Sequence, residues 1–183
     1  MAEISIARRA AHAMLLAIEA GIGHSDDLLR NEPLMAKMSD ADRRLTTALV
    51  LGVLRWQIQL DQEIRRLLSK PGMNLDPAVL ASLRLGAFQL LHLDRIPPHA
   101  AIDESVELTK RSRYRSASGL VNAVLRKIAS EKGTHEARAS SPQDAHPAWM
   151  VDRWTRFLGG EAAGAICVHD QDLPLPMIRM ASP

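Results

Sequence analysis

The stretch Pro97–Ile128, PPHAAIDESVELTKRSRYRSASGLVNAVLRKI, holds two helical patterns joined by a short basic segment. Its proline pair stiffens the chain and presets a helix start. Ile102 and Val106 continue one apolar line, and Glu107 with Arg111 makes a well-oriented i,i+4 pair. In the second pattern Leu120, Val121, Val124, Leu125 and Ile128 cover an arc of roughly 140°. Asn122 and Arg126 sit opposite that arc, one turn apart, and Arg115 joins them if the helix starts early enough. From Lys110 to Lys127 there are six Lys or Arg and no Asp or Glu. The reading is a packed helix pair with a basic outer surface.

Working outward, helical spacing dominates the chain and period-2 alternation is almost absent. Ser5 is placed to cap a first helix from Ile6 to about Ala20, closed by Gly21 and Gly23. Ile6, Ala10, Ala13, Met14 and Ala17 form its apolar arc, which leaves Arg8 and His12 free to face solvent or a ligand. Ser25 with Asp26 and Asp27 starts a second helix that Pro33 breaks or kinks. Ser39 and Asp42 resemble a capping box before a long helical run. Within that run the line Leu45–Leu49–Val53–Trp56 is out of phase with Leu60–Ile64–Leu67–Leu68, which predicts a bend near Trp56–Gln59. Asp76 and Pro77 form a cap and first turn, and VLASLRLGAFQLLHL is apolar nearly all round, as a central buried helix would be.

After Lys127 the pattern lapses, and 133–145 reads as a polar linker. Helical spacing restarts at His146 with Trp149, Trp154 and Phe157, before a proline-rich, extended end. The expected organisation is a helical domain at 1–132, the linker, and a short helical connector at 146–183.

Composition sets the limits. With 46% apolar residues in 183 the chain supports one domain with a real core and a small appendage. No apolar run reaches the roughly 18 residues of a membrane span, and no secretory signal layout opens the chain, so a cytoplasmic protein without membrane contact is expected. A single cysteine, Cys167, excludes an internal disulfide and a cysteine-cluster metal site, and no metal ligand set is expected among the scattered histidines. The 19 basic and 15 acidic side chains of residues 1–133 give net +4, against net −2 for 134–183. That asymmetry weakly favours an anionic partner for the first part.

The motif I-P-x-x-x-A-I-x-E-x-V-E-x-x-K falls on Ile96, Pro97, Ala101, Ile102, Glu104, Val106, Glu107 and Lys110. With L-V-N-A-V-L-R at Leu120–Arg126, it resembles the NusB family of bacterial RNA-binding helical domains. ARRAAHAMLLAIEAG is similar to that family's arginine-containing first helix. RRLTTALVLGVLRWQIQLDQEI, with its Arg55–Trp56 pair, resembles the branch fused to RsmB-type ribosomal RNA cytosine-C5 methyltransferases. HPAWMVDRWTRFLGGEAAGAIC followed by LPLPMIRM looks like the connector those proteins carry. The resemblance implies an all-α, NusB-like bundle of about seven helices at 5–130 with a short helical C-terminal connector.

It further implies RNA binding that positions ribosomal RNA for an S-adenosylmethionine-dependent domain absent from this chain. Such chemistry needs two cysteines and a glycine-rich strand-to-helix turn. The chain has one cysteine and no such turn, so no cofactor and no catalytic activity are expected of it. A second reading is a regulator of transcription antitermination that binds RNA with a protein partner. A third is an interaction domain whose basic face meets its own methyltransferase domain.

The RNA-contacting residues implied are Arg8, Arg9, Lys110, Arg111, Arg113, Tyr114, Arg115, Arg126 and Lys127. The cations would neutralise phosphates and Tyr114 would stack on an unpaired base. On charge alone a solvated loop explains the run equally well. Trp56 is expected in packing, Asn122 as a cap or hydrogen bonder, Cys167 as a small apolar filler, and His92, His99 and His146 as structural or exposed.

Overall fold

Every side chain from Ala81 to Leu90 is buried in the computed structural model. The helix that carries them, Pro77–His92, is the centre on which the helices at 6–19, 40–55, 57–67, 98–111 and 118–131 pack, as its all-round apolar pattern predicts. The structure describes residues 4–31, 33–70, 72–131 and 141–172, and no strand occurs among them. One compact unit, Met1–Ala139, holds α1 (Ile6–Glu19), α2 (Ser25–Asn31), α3 (Pro33–Ala36), α4 (Asp40–Arg55), α5 (Gln57–Leu67), α6 (Pro77–His92), α7 (Pro98–Arg111) and α8 (Ser118–Glu131). A second, Ser140–Pro183, holds α9 (Ala148–Leu158) and α10 (Gly160–Gln171).

The boundaries follow local chemistry. Ser5 accepts from the Arg8 amide at 3.4 Å, Ser39 from the Asp42 amide at 3.2 Å, and Asp76 from the Ala78 amide at 2.9 Å; each satisfies a donor that the first helical turn leaves open. Gly21 closes α1 in the left-handed region at φ +69°. Trp56 leaves helical geometry at φ −100°, ψ 11° and bends the chain between α4 and α5, where the out-of-phase apolar lines require it. Its half-buried ring stacks on His92 at 4.5 Å, so packing is its role.

Around α6 the approach is close. A Cβ on Gly52 would lie 2.0 Å from the Phe88 ring, so α4 meets α6 only through glycine. A Cβ on Gly86 would lie 2.4 Å from Leu125 and 2.9 Å from Ser105, which brings α7 and α8 onto the same helix. From α8, Val121, Val124, Leu125 and Ile128 are buried as the arc predicts, and Leu120 is half-buried.

The face of α1 differs from expectation. Ala7, Ala10, Ala11, Met14 and Leu15 are buried, together with Arg8 and His12, while Ala13 is exposed. The buried face is turned by roughly a third of a revolution from the predicted arc. The reason is that Arg8 and His12 are not outward-facing: they are 7% and 8% exposed, and both find partners inside.

In the second unit, residues 141–145 of the expected linker form a 3₁₀ turn, Pro142–Ala145, with a capping box between Ser141 and Asp144. The earlier part of the linker, up to residue 140, and the proline-rich end from 173 lie outside the described residues. Cys167 is buried here and free. On α9, Trp149 and Phe157 stay 64% and 72% exposed.

Candidate functional site

Two sets of arginines have to be separated before any site emerges. The first is inside. Arg8 of α1 donates from Nε to Gln89 Oε1 at 2.6 Å and from Nη1 to Glu104 Oε1 at 2.8 Å and Ser5 Oγ at 3.1 Å. The other Glu104 oxygen accepts from the Ser5 amide at 2.8 Å and its hydroxyl at 2.9 Å. A buried guanidinium is tolerated when its donors are matched in this way, and the matching ties α1, α6 and α7 together. Arg8 was expected on the RNA face, and its placement is corrected: it is buried, and its Nε and Nη1 donors are committed to the fold.

Further along α6, Arg84 donates to both oxygens of Asp61 on α5, at 2.7 and 2.8 Å, and to Glu19 on α1 at 3.1 Å. Burial alone would lower its pKa, but the Asp61 and Glu19 carboxylates outweigh that and raise it. His12 Nε2 lies 3.1 Å from the Ala78 carbonyl and from Ser82 Oγ. Its pKa is lowered by burial, against the raising effect of the Ala78 carbonyl. These pairings join residues far apart in sequence, and no local spacing signals them.

The second set is outside, at the tip of the α7–α8 hairpin. Ser112 ends α7; its hydroxyl donates to the Thr109 carbonyl at 2.7 Å and accepts from the Tyr114 amide at 3.1 Å. A 3₁₀ turn at Arg115–Ala117 then leads into α8. Lys110, Arg111, Arg113 and Arg115 are all exposed on this tip. Among the described residues Arg111, Arg113 and Arg115 have no carboxylate within ion-pair distance.

Lys110, in contrast, donates to Glu107 Oε1 at 2.6 Å. The expected Glu107–Arg111 ion pair is therefore replaced by an i,i+3 pair, because the nearly buried carboxylate is reached more directly from Lys110. That hydrogen bond, opposed by burial, holds the Glu107 carboxyl below the usual range. Tyr114 is half-buried against the core, and the nearby Asp76 carboxylate, together with burial, raises its phenol pKa.

The six cations that are contiguous in charge along the sequence are not contiguous in space. Arg126 and Lys127 are exposed near the far end of α8, roughly 12 Å along the helix from its start at 1.5 Å per residue. Arg126 donates to Asn122 Oδ1 at 3.0 Å and borders a surface hollow with Pro98, His99 and Asp103, at the opposite end of the hairpin from Arg113. Arg9 is exposed on the outer side of α1.

The polar residues of the sequence motif thus have assigned partners: Glu104 with Arg8 and Ser5, Glu107 with Lys110, Asn122 with Arg126. The tip arginines are the part of the pattern that the fold does not use. Lys110 and Arg111 complement the α7 C-terminal dipole, an effect of about 0.3–1 kcal/mol. Arg115 adjoins the start of α8, where a cation is mildly unfavourable and an anion is welcome. Helix electrostatics do not account for it.

Comparison with known proteins gives a consistent outcome. The model of the NusB family matches residues 5–130. The probable ribosomal RNA small subunit methyltransferase B of Bacillus subtilis is 34% identical over 159 residues, which is 84% of this chain and 35% of that protein. Ribosomal RNA small subunit methyltransferase B of Escherichia fergusonii is 37% identical over 168 residues, 91% of this chain and 38% of that protein. This chain spans little more than a third of the length of these relatives. A solved structure of T. maritima NusB superposes with a TM-score of 0.57 at 25% identity, over 68% of this chain and 89% of that one.

Proposed function

The chain belongs to the NusB family, and we propose on that premise that the α7–α8 tip is an RNA-binding surface. The observation that carries the proposal is the set of exposed cations, Arg111, Arg113 and Arg115, with no described carboxylate within ion-pair distance of them. Phosphates are the ligand such a set suits best, since each contact releases counterions and gives salt-dependent affinity. Arg9, Lys110, Arg126 and Lys127 extend the surface as secondary contacts, and Arg8 supports it from inside by fixing α1 against α7.

The finer reading is that the RNA is ribosomal and that this part of the protein positions it for methylation of a cytosine at carbon 5. The similarity to the two methyltransferases supports this reading over a free-standing antitermination regulator. It runs over 168 residues in one case, well past the end of the NusB match at 130 and into the unit that holds α9 and α10. The described residues do not fit S-adenosylmethionine or the methyl-transfer nucleophile. They form no strand on which a glycine-rich turn could be built, and Gly159–Gly160 only joins α9 to α10. Cys167 is buried, and burial, with Asp170, pushes its thiol up, away from the reactive thiolate. Methyl transfer is assigned to the rest of a relative-length protein, and docking of the RNA to this part.

The test is a filter-binding or anisotropy titration of small-subunit ribosomal RNA fragments against salt. Changing Arg111, Arg113 and Arg115 together to Ala is expected to weaken binding roughly tenfold or more and to reduce the slope of log K against log salt by about 2, near 0.7 per lost contact. An unchanged slope removes the tip from the interface.

A further inference from the structure

Beside the tip arginines lies an open groove of about 470 Å³, within the roughly 300–1,000 Å³ of small-molecule sites. Its walls are Leu16 from α1, Asp76, Pro77 and Ala78 at the start of α6, and Ser112, Arg113 and Tyr114 from the tip. The lining is mainly apolar, with one carboxylate and one guanidinium. Resting on the RNA reading above, we propose that this groove is a subsite for a single unpaired guanine nucleotide, its phosphate on Arg113 and its base edge on Asp76.

Charge complementarity supplies the first half. Arg113 is exposed, flanked by Arg111 and Arg115, and is the cation that borders the groove. A phosphate on it continues the line of phosphates that the tip would hold. The apolar walls and the Tyr114 ring suit the faces of a base, which single-strand binders hold by stacking and apolar contact.

Asp76 supplies the selectivity. An ionised carboxylate has about four lone-pair sites and only accepts. The Ala78 amide accounts for one of them. The remaining capacity faces a partner that must donate. Guanine presents two adjacent donors, N1–H and the N2 amino group. Adenine and cytosine place a ring acceptor beside their amino group, and uracil flanks its one N–H with two carbonyls. Those acceptors are repelled by a carboxylate, so guanine alone among the four offers a paired donor edge. The Tyr114 ring packs against the core beside the groove.

The probes are four RNA 9-mers of uridine, unchanged or carrying one central G, A or C. The wild-type chain is expected to bind the G-centred 9-mer roughly tenfold tighter than the all-U 9-mer, the size of one good bidentate contact. Asp76→Asn keeps a helix-capping side chain; it is expected to abolish that preference, bringing the G-centred and all-U 9-mers to equal affinity. Tyr114, the one tyrosine of the chain, gives a direct readout: its ring NMR signals are expected to shift with the G-centred 9-mer and not with the all-U 9-mer. Equal affinity for all four 9-mers overturns the subsite while the RNA surface stands. A G preference that survives Asp76→Asn overturns the base assignment. Failure of every 9-mer to bind at millimolar concentration removes the RNA surface and the subsite together.

Discussion

Arg84 and Arg113 carry the same guanidinium into opposite surroundings. Arg84 sits in the middle of α6 with its donors divided between Asp61 and Glu19; Arg113 stands exposed on a loop, with no described carboxylate within ion-pair distance. Arg8 belongs with the first and Arg111 and Arg115 with the second. A buried arginine is retained only with its partners, because desolvating an unmatched charge costs several kcal/mol. An exposed one is worth little to stability, paired or not. Arginines in this chain therefore divide into those the fold cannot lose and those it does not need, and function is to be sought in the second group. Burial and partnership make that division, not position in a run of charge.

Substitutions should reproduce it. Arg84→Ala leaves the Asp61 carboxylate, 18% exposed, facing the core edge without its partner. Because Asp61 keeps some water, the loss belongs near the lower end of the usual range, about 2–3 kcal/mol in urea unfolding. Arg113→Ala should change stability by less than about 0.5 kcal/mol. Equal losses at the two positions would erase the distinction on which the site rests. The sharper contrast is with Arg8, which the sequence places beside a second arginine, Arg9. Arg8→Ala should lower stability by about 2–3 kcal/mol, and the protein that remains folded should keep the wild-type salt slope for RNA. The triple tip variant should do the reverse, losing slope at unchanged stability. A slope that falls in Arg8→Ala would return that residue to the interface.

These contrasts also mark where sequence reasoning reached and where it stopped. Caps at Ser5, Ser39 and Asp76, the bend at Trp56, and the buried run of α6 were legible because each rests on residues within a few positions of one another. The face of α1 was not. Polarity argues that Arg8 and His12 point outward, and only Gln89, Glu104, Ala78 and Ser82, far along the chain, make their burial possible. The Glu107 partner was misassigned for a related reason. Spacing allows both Arg111 and Lys110, and burial of the carboxylate decides between them. The tip itself was legible as charge, while its separation from Arg126 required the antiparallel packing of α7 and α8.

The smallest expected effect tests the two regions by pH. His12 is buried with a pKa held below its ordinary 6.5, burial being the larger cause. A base whose pKa falls on folding binds more protons when unfolded, so its contribution is present above pH 6.5 and is lost as pH falls toward the folded value. Glu107 follows the same sign in a lower window. Lys110 holds its carboxyl below 4.5, so its contribution is present above that pH and is lost only as pH falls through the depressed value. The His12 window opens at a higher pH than that of Glu107. Between pH 7.5 and 5.5 the wild-type chain should therefore lose stability through His12, and His12→Gln should flatten that decline. The tip arginines are not among the hydrogen-bond partners of His12, so the triple tip variant should follow the wild-type decline. If His12→Gln leaves the curve unchanged, the imidazole is either solvated or already charged, and the α1–α6 packing described here is wrong at that point. If the tip variant flattens it, the tip is coupled to the buried seam, and the division between the two kinds of arginine fails.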